Sequence, residues 1–123
     1  MTIKIGINGL GRIGRMVVRT IFENKFKEIK IKHINNRSSS EISSNLLRYD
    51  SIHGKFRENI KFGKNFITIG KQKISFSQDT NINHINWSKY GVDYVLECTG
   101  KFNSKDELLS HIKNGAKKVI VSA

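Results

Sequence analysis

Apolar and polar residues change their spacing several times along the chain, and those changes mark out the elements. Residues 2–7 alternate and lead into an asparagine and a glycine, which predicts a first strand running into a tight turn. From about Gly11 to Glu23, the apolar side chains Ile13, Val17, Val18, Ile21 and Phe22 recur at helical spacing. Alternation returns over residues 28–34 as a second strand. A polar loop from Asn35 to Ser40 then leads to a short helix around Glu41 to Arg48, with Leu46 and Leu47 expected to turn inward.

Residues 55–76 break that rhythm. Lys55–Arg57, Phe66–Ile69 and Lys73–Phe76 are short alternating segments separated by glycine, asparagine and lysine, the pattern of an antiparallel β insertion. Val92–Leu96 reads as a strand suited to burial on both faces. A helix is expected from about Ser104 to Lys113, where Ser104 and Glu107 have the spacing of a capping box. Gly115 ends it, and residues 118–122 form a last, buried-looking strand. The order of strands and helices implies right-handed crossovers and an α/β, doubly wound (Rossmann-type), mostly parallel sheet.

Composition adds bounds. At 123 residues the chain is the size of one domain, and no apolar run approaches the roughly 20 residues needed to cross a bilayer. The alternation starts at the first residues, which leaves no room for a signal peptide, and the single cysteine excludes an intramolecular disulfide. A cytoplasmic protein is the simplest expectation. The net charge of +12 raises nucleic acid as a partner, but the lysines are spread from Lys4 to Lys118 without a basic tail. A solvated lysine-rich surface is the preferred reading. His33, His53, His84 and His111 share no metal-ligand spacing, so no metal is expected.

Gly9-Leu10-Gly11-Arg12-Ile13-Gly14 carries the chemistry. It is G-x-G-x-x-G placed between a strand and an amphipathic helix. The first glycine permits the turn, the second lets backbone approach a pyrophosphate, and the third lets helix and strand pack closely. The N–H groups opening the helix then receive phosphate. At the end of the second strand, where such folds usually place an acid on the adenosine ribose, stand Asn35-Asn36-Arg37. Asn36 is able to hydrogen-bond a ribose hydroxyl without repelling a 2′-phosphate, and Arg37 is able to attract one. An ordinary polar loop is the competing reading.

Four stretches together resemble one family, the phosphorylating glyceraldehyde-3-phosphate dehydrogenases. They are Lys4–Arg15, Tyr49–Phe56 (YDSIHGKF), Glu97–Phe102 (ECTGKF) and Gly115–Ala123 (GAKKVIVSA). The resemblance implies one NAD(P)-binding domain over residues 1–123 of a longer enzyme, with Ala123 read as a truncation point before the catalytic domain. It implies that Asn8 shapes the turn, together with Gly9, Gly11 and Gly14, and that Arg12 and Ile13 bind pyrophosphate through their N–H groups. Asn36 and Arg37 would meet the adenosine ribose and Thr80 the adenine side, while Thr99, Gly100 and Ser122 would line the nicotinamide end.

The Asn36 position usually carries aspartate, so cofactor choice is expected to be relaxed or to lean to NADP; the Thr80 position often carries arginine, so a specific contact at the adenine side is not expected from threonine. The implied reaction of the full-length parent is oxidation and phosphorylation of glyceraldehyde 3-phosphate to 1,3-bisphosphoglycerate, in a homotetramer whose contacts include Tyr49–Phe56. No residue of this chain is expected to be catalytic, and Cys98 is expected to be a packing residue. Erythrose-4-phosphate dehydrogenase, a basic nucleic-acid-binding module and a non-functional remnant are the alternatives.

Overall fold

The computed structural model describes residues 2–24, 26–50, 54–56, 58–102 and 104–122, with Asp50 and Lys55 as backbone only. Its elements in chain order are β1 (Ile3–Asn8), α1 (Arg12–Glu23), β2 (Ile29–Asn35), α2 (Ser40–Arg48), β3 (Tyr49–Asp50), β4 (Gly54–Lys55), β5 (Ile60–Gly63), β6 (Phe66–Ile69) and β7 (Gln72–Ser77). After two short 3₁₀ turns come β8 (Tyr94–Glu97), α3 (Lys105–Lys113) and β9 (Lys118–Val121). Seven strands make one sheet in the order β5-β6-β7-β2-β1-β8-β9. The pairs β7/β2, β2/β1, β1/β8 and β8/β9 are parallel. The chain winds outward from β1 to β2 and β7, then returns to place β8 on the other side of β1. That reversal is the topological switch point.

The α/β, doubly wound, mostly parallel sheet expected from the alternating elements is present. The antiparallel insertion needs correction in its limits and its attachment. Phe66–Ile69 and its neighbours do form the antiparallel run β5-β6-β7, but β7 also pairs in parallel with β2. The insertion is therefore an extension of the main sheet. Lys55 belongs elsewhere, in the two-stranded ladder of β3 and β4, and Arg57 lies outside the described residues.

Local chemistry explains the helix boundaries. Ser39 caps α2 by accepting the Ile42 N–H at 3.2 Å, and the Ser104–Glu107 capping box opens α3 as expected. On α2 only Leu47 turns into the core. Leu46 is 38% exposed, because Ser40, Ser43, Ser44 and Leu47 form the buried stripe instead. The last strand departs from expectation too. β9 pairs only with β8 and holds the sheet edge, so Ile120 is 57% exposed and the strand is not buried. Likewise β8 is covered fully on one face only: Val95 and Glu97 are buried, Tyr94 and Leu96 half-buried.

Two apolar clusters lie within the fold. The larger joins Ile5, Ile7, Val18, Ile31, Ile34, Leu47, Ile67 and Ile74 with their neighbours. The smaller gathers Ile85, Trp87, Val92, Val95 and Ala116.

Candidate cofactor site

The carboxyl ends of β1, β2 and β8 open into a cleft of about 270 Å³. Its walls are the glycine turn, the Asn35–Ser38 loop, Leu46, Asp79 and Thr80 on one side, and Cys98, Thr99, Lys101 and Phe102 on the other. Asn8, Gly9, Gly11, Asn36, Arg37, Thr80 and Thr99, all singled out in the sequence, meet here. Arg12, Ile13, Gly14, Gly100 and Ser122 are not part of the lining. Arg12 and Ile13 open α1 beside it, Gly14 lies beneath the turn, and Ser122 follows β9, its hydroxyl donating to the Glu97 carbonyl at 3.2 Å.

The three motif glycines are needed for different reasons. Gly9 has φ +97°, and a Cβ there would lie 2.7 Å from Thr99 Cγ2. A Cβ on Gly14 would lie 2.2 Å from the Gly9 carbonyl oxygen, so side chains are excluded where α1 packs on the turn. Gly11 is under no such constraint. A Cβ there meets only the Cys98 carbonyl, at 3.5 Å, and otherwise enters open space at the cleft. The fold tolerates a side chain at Gly11; a ligand lying against the turn would not. Gly11 is also the N-cap of α1 and supplies no side-chain cap, and the first turn holds no acid. The N–H groups at the head of α1 and the positive end of its dipole suit an anion such as pyrophosphate.

Asn36 bridges two walls. Its Oδ1 accepts the Leu10 N–H at 3.1 Å and its Nδ2 donates to Ser43 Oγ at 3.0 Å, which ties the β2 loop to the glycine turn. An amide has two N–H donors and two acceptor lone pairs, so one of each remains for a ligand. Arg37 is exposed at the rim.

Under the turn runs a buried polar chain that sequence patterns did not reveal. Asn35 donates to Asn8 Oδ1 at 2.8 Å, and Asn8 donates to Glu97 Oε1 at 2.7 Å. The same carboxylate oxygen meets His111 Nε2 at 2.8 Å, and Trp87 donates its indole N–H to His111 Nδ1 at 2.9 Å. An indole only donates, so His111 Nδ1 is an acceptor and the ring proton sits on Nε2, facing Glu97. The other oxygen, Glu97 Oε2, accepts the Thr99 hydroxyl at 2.6 Å and the Thr99 N–H at 3.1 Å. Burial by itself would lift the Glu97 carboxyl; bonds from His111, Thr99 and Asn8 outweigh it and hold the group below its ordinary value. The one available signal was a charged residue ending an otherwise apolar strand.

On the same side of the sheet, His33 is buried, stacked on Tyr90 at 3.7 Å between ring centroids, and placed between Ser75 and Ser77. Burial first, and the Lys89 charge second, lower it from 6.5 to about 3. A neutral ring donates to only one serine. Ser75 is committed to the Lys32 carbonyl at 2.9 Å, which leaves Ser77 to share its proton between His33 and Asn35. Cys98 packs in the larger core. Burial raises its thiol, a hydrogen bond with Ser122 lowers it in part, and the Glu97 charge raises it further. A thiol held protonated in this way is a weak nucleophile.

A glycine turn feeding a helix at the point where strand order reverses is how doubly wound domains take up a dinucleotide, and this chain is a domain of that class. Its particular kind follows from comparison with known proteins: residues 3–105 match the profile described as glyceraldehyde 3-phosphate dehydrogenase, NAD binding domain, and the chain belongs to that family. It is 42% identical over 123 residues to a glyceraldehyde-3-phosphate dehydrogenase of Cereibacter sphaeroides, and that match covers all of this chain and 36% of the relative. Against the enzyme of the same name from Coccidioides posadasii (strain C735) identity is 40% over 124 residues, with the same coverage. Against glyceraldehyde-3-phosphate dehydrogenase 2 of Bacillus subtilis (strain 168) it is 38% over 123 residues. The chain thus spans 36% of the length of each of these curated relatives.

Proposed function

We propose that this chain binds the nicotinamide dinucleotide for an enzyme that oxidatively phosphorylates glyceraldehyde 3-phosphate to 1,3-bisphosphoglycerate. The observation that carries the reading is Gly11 at the head of α1, where a Cβ would enter the open cleft and its absence leaves room for a ligand against the turn. Family membership and relatives at about 40% identity support the reaction. Neither an erythrose-4-phosphate dehydrogenase nor a nucleic-acid module is favoured by those comparisons.

When bound, the nicotinamide ring takes up hydride from the substrate. The chain's own part is to hold and orient. Gly9, Gly11 and the N–H groups of Arg12 and Ile13 cradle the pyrophosphate. Asn36 meets the adenosine ribose with its spare donor and acceptor, Thr80 borders the adenine side, and Thr99, Gly100 and Ser122 border the nicotinamide end. The groups that attack the substrate belong to sequence outside this chain.

The site accepts both NAD and NADP in this reading. Asn36 places no carboxylate at the ribose, and Arg37 stands at the cleft rim to meet a 2′-phosphate. The enzyme is proposed to be a cytoplasmic homotetramer. Exposed Tyr49 on β3 supports a subunit contact there. Calorimetric titration of the chain with NAD⁺ and NADP⁺ at moderate salt tests the cofactor reading. Saturable binding with comparable affinities is expected. Strong rejection of NADP⁺ removes dual specificity, and no binding of either by a cooperatively folded chain removes the site.

A further inference from the structure

Glu97 lies beneath the cleft and hydrogen-bonds two residues that line it, Asn8 and Thr99. We propose that Glu97, oriented by His111 and Trp87, is a positioning residue for the half of the dinucleotide that lies beyond the pyrophosphate. The inference rests on the cofactor reading above and assigns this side of the cleft a separate control.

The argument starts from the four donors converging on one carboxylate. Asn8 and His111 bond Oε1 at 2.7 and 2.8 Å, and the Thr99 hydroxyl and N–H bond Oε2 at 2.6 and 3.1 Å. Only a carboxylate presents two acceptor oxygens and no donor, so a glutamine would turn an NH₂ group against N–H or O–H groups. Glu97 is 1% exposed, and replacing such a buried polar cluster by apolar side chains commonly costs a fold nothing or stabilises it. Stability alone therefore does not account for the cluster. Its position does. Three of the four bonds end on groups that shape the crevice: Asn8 leads into the glycine turn, and Thr99 forms the wall against which Gly9 packs; the fourth, from His111, orients the carboxylate from below.

The bonds reach the two ends of the cleft unequally: Thr99 bonds Glu97 directly, whereas the end of β2 is reached only through Asn8 and Asn35. In a doubly wound fold the end of β2 receives the adenosine ribose and the glycine turn the pyrophosphate. Asn36, Arg37 and Thr80 therefore serve the adenosine half, and Asn36 is fixed there by Leu10 and Ser43, with no direct bond to Glu97. Thr99 and Lys101, whose N–H donates to Thr99 Oγ1 at 3.1 Å, stand on the opposite wall. Disturbing Glu97 should loosen that wall and leave the adenosine end in place.

The test is titration of wild-type chain, Glu97→Gln and Thr99→Val with NAD⁺ and, separately, with AMP, alongside thermal unfolding. AMP spans the adenosine end and the first phosphate and lacks the nicotinamide half. Glu97→Gln should weaken NAD⁺ by about tenfold or more, as expected when buried donors lose their acceptor, while AMP affinity stays within about twofold. Thr99→Val removes the hydroxyl donor to Glu97 and the acceptor of the Lys101 N–H from a half-buried position. It should weaken NAD⁺ by a smaller factor, again without loss of AMP, and it decides the question if Glu97→Gln fails to fold. Equal losses for both ligands, or no loss for either, would show that Glu97 serves the fold only and overturn the inference. A wild-type chain that binds neither ligand overturns the cofactor reading and this inference with it.

Discussion

The two faces of the sheet are built from different materials. The face under α1 and α2 is an aliphatic layer of Ile5, Ile7, Val18, Ile31, Ile34 and Leu47, with Phe76 and Ile74 continuing it toward the β5–β7 edge. The face under α3 has four buried apolar residues around Trp87, and it carries the polar run from His33 and Asn35 to Glu97 and His111. Aliphatic packing is non-directional and sets how much free energy holds the domain together. Hydrogen bonds are directional, so the second face sets where Thr99 and the glycine turn point. The larger face holds the fold, and the smaller one aims the site.

Trp87 gives the sharpest way to break that division. Trp87→Ala should cost about 3–5 kcal/mol from lost burial and the cavity together, and leave His111 Nδ1 without its donor. Trp87→Phe keeps most of the packing and loses only the N–H, so it should cost about 1–3 kcal/mol. Ile34→Ala on the aliphatic face should cost about 2–5 kcal/mol in urea unfolding while leaving the NAD⁺ affinity of the folded fraction unchanged. A Trp87→Phe chain as stable and as tight-binding as wild type would show that the polar run contributes nothing.

Acid should act through the smaller face. His33 titrates at about 3 in the fold and near 6.5 when unfolded, so the unfolded chain takes up the proton first. Its stabilising contribution is complete above pH 6.5 and is lost as pH falls toward about 3. Glu97, also lowered, adds loss in the same direction at the acid end. Urea midpoints measured from pH 7 down to pH 4 should fall by several kcal/mol of stability, and His33→Gln should flatten the upper part of that decline. A wild-type profile already flat between pH 7 and pH 5 would contradict the buried neutral ring.

Two smaller effects separate binding from folding at the turn. Gly11→Ala should leave the unfolding midpoint unchanged or slightly raised, yet reduce NAD⁺ affinity about tenfold or more, whereas Gly14→Ala should destabilise by roughly 1–3 kcal/mol or more. Retained affinity in Gly11→Ala would remove the observation on which the cofactor site rests. The smallest effect is one of choice: Asn36→Asp should shift the NADP⁺ to NAD⁺ affinity ratio about tenfold toward NAD⁺, because a carboxylate repels a 2′-phosphate.

The amino-acid sequence by itself determined the class of the fold and the glycine turn. Periodicity of 2 and 3.6 is a local consequence of backbone geometry, and the Gly9–Gly14 spacing and the Ser104–Glu107 box are local too. Tertiary structure decided which faces those elements covered. Leu46 and Ile120 are apolar in sequence but exposed in space, because burial depends on what lies opposite and β9 has a neighbour on one side only. It also decided the Asn35–Asn8–Glu97–His111–Trp87 run, whose Asn8 and Glu97 stand 89 positions apart and meet only because β1 and β8 are adjacent. No periodicity or motif encodes such a bond: a side chain's partner is fixed by strand order, and strand order is settled only when the whole sheet has formed.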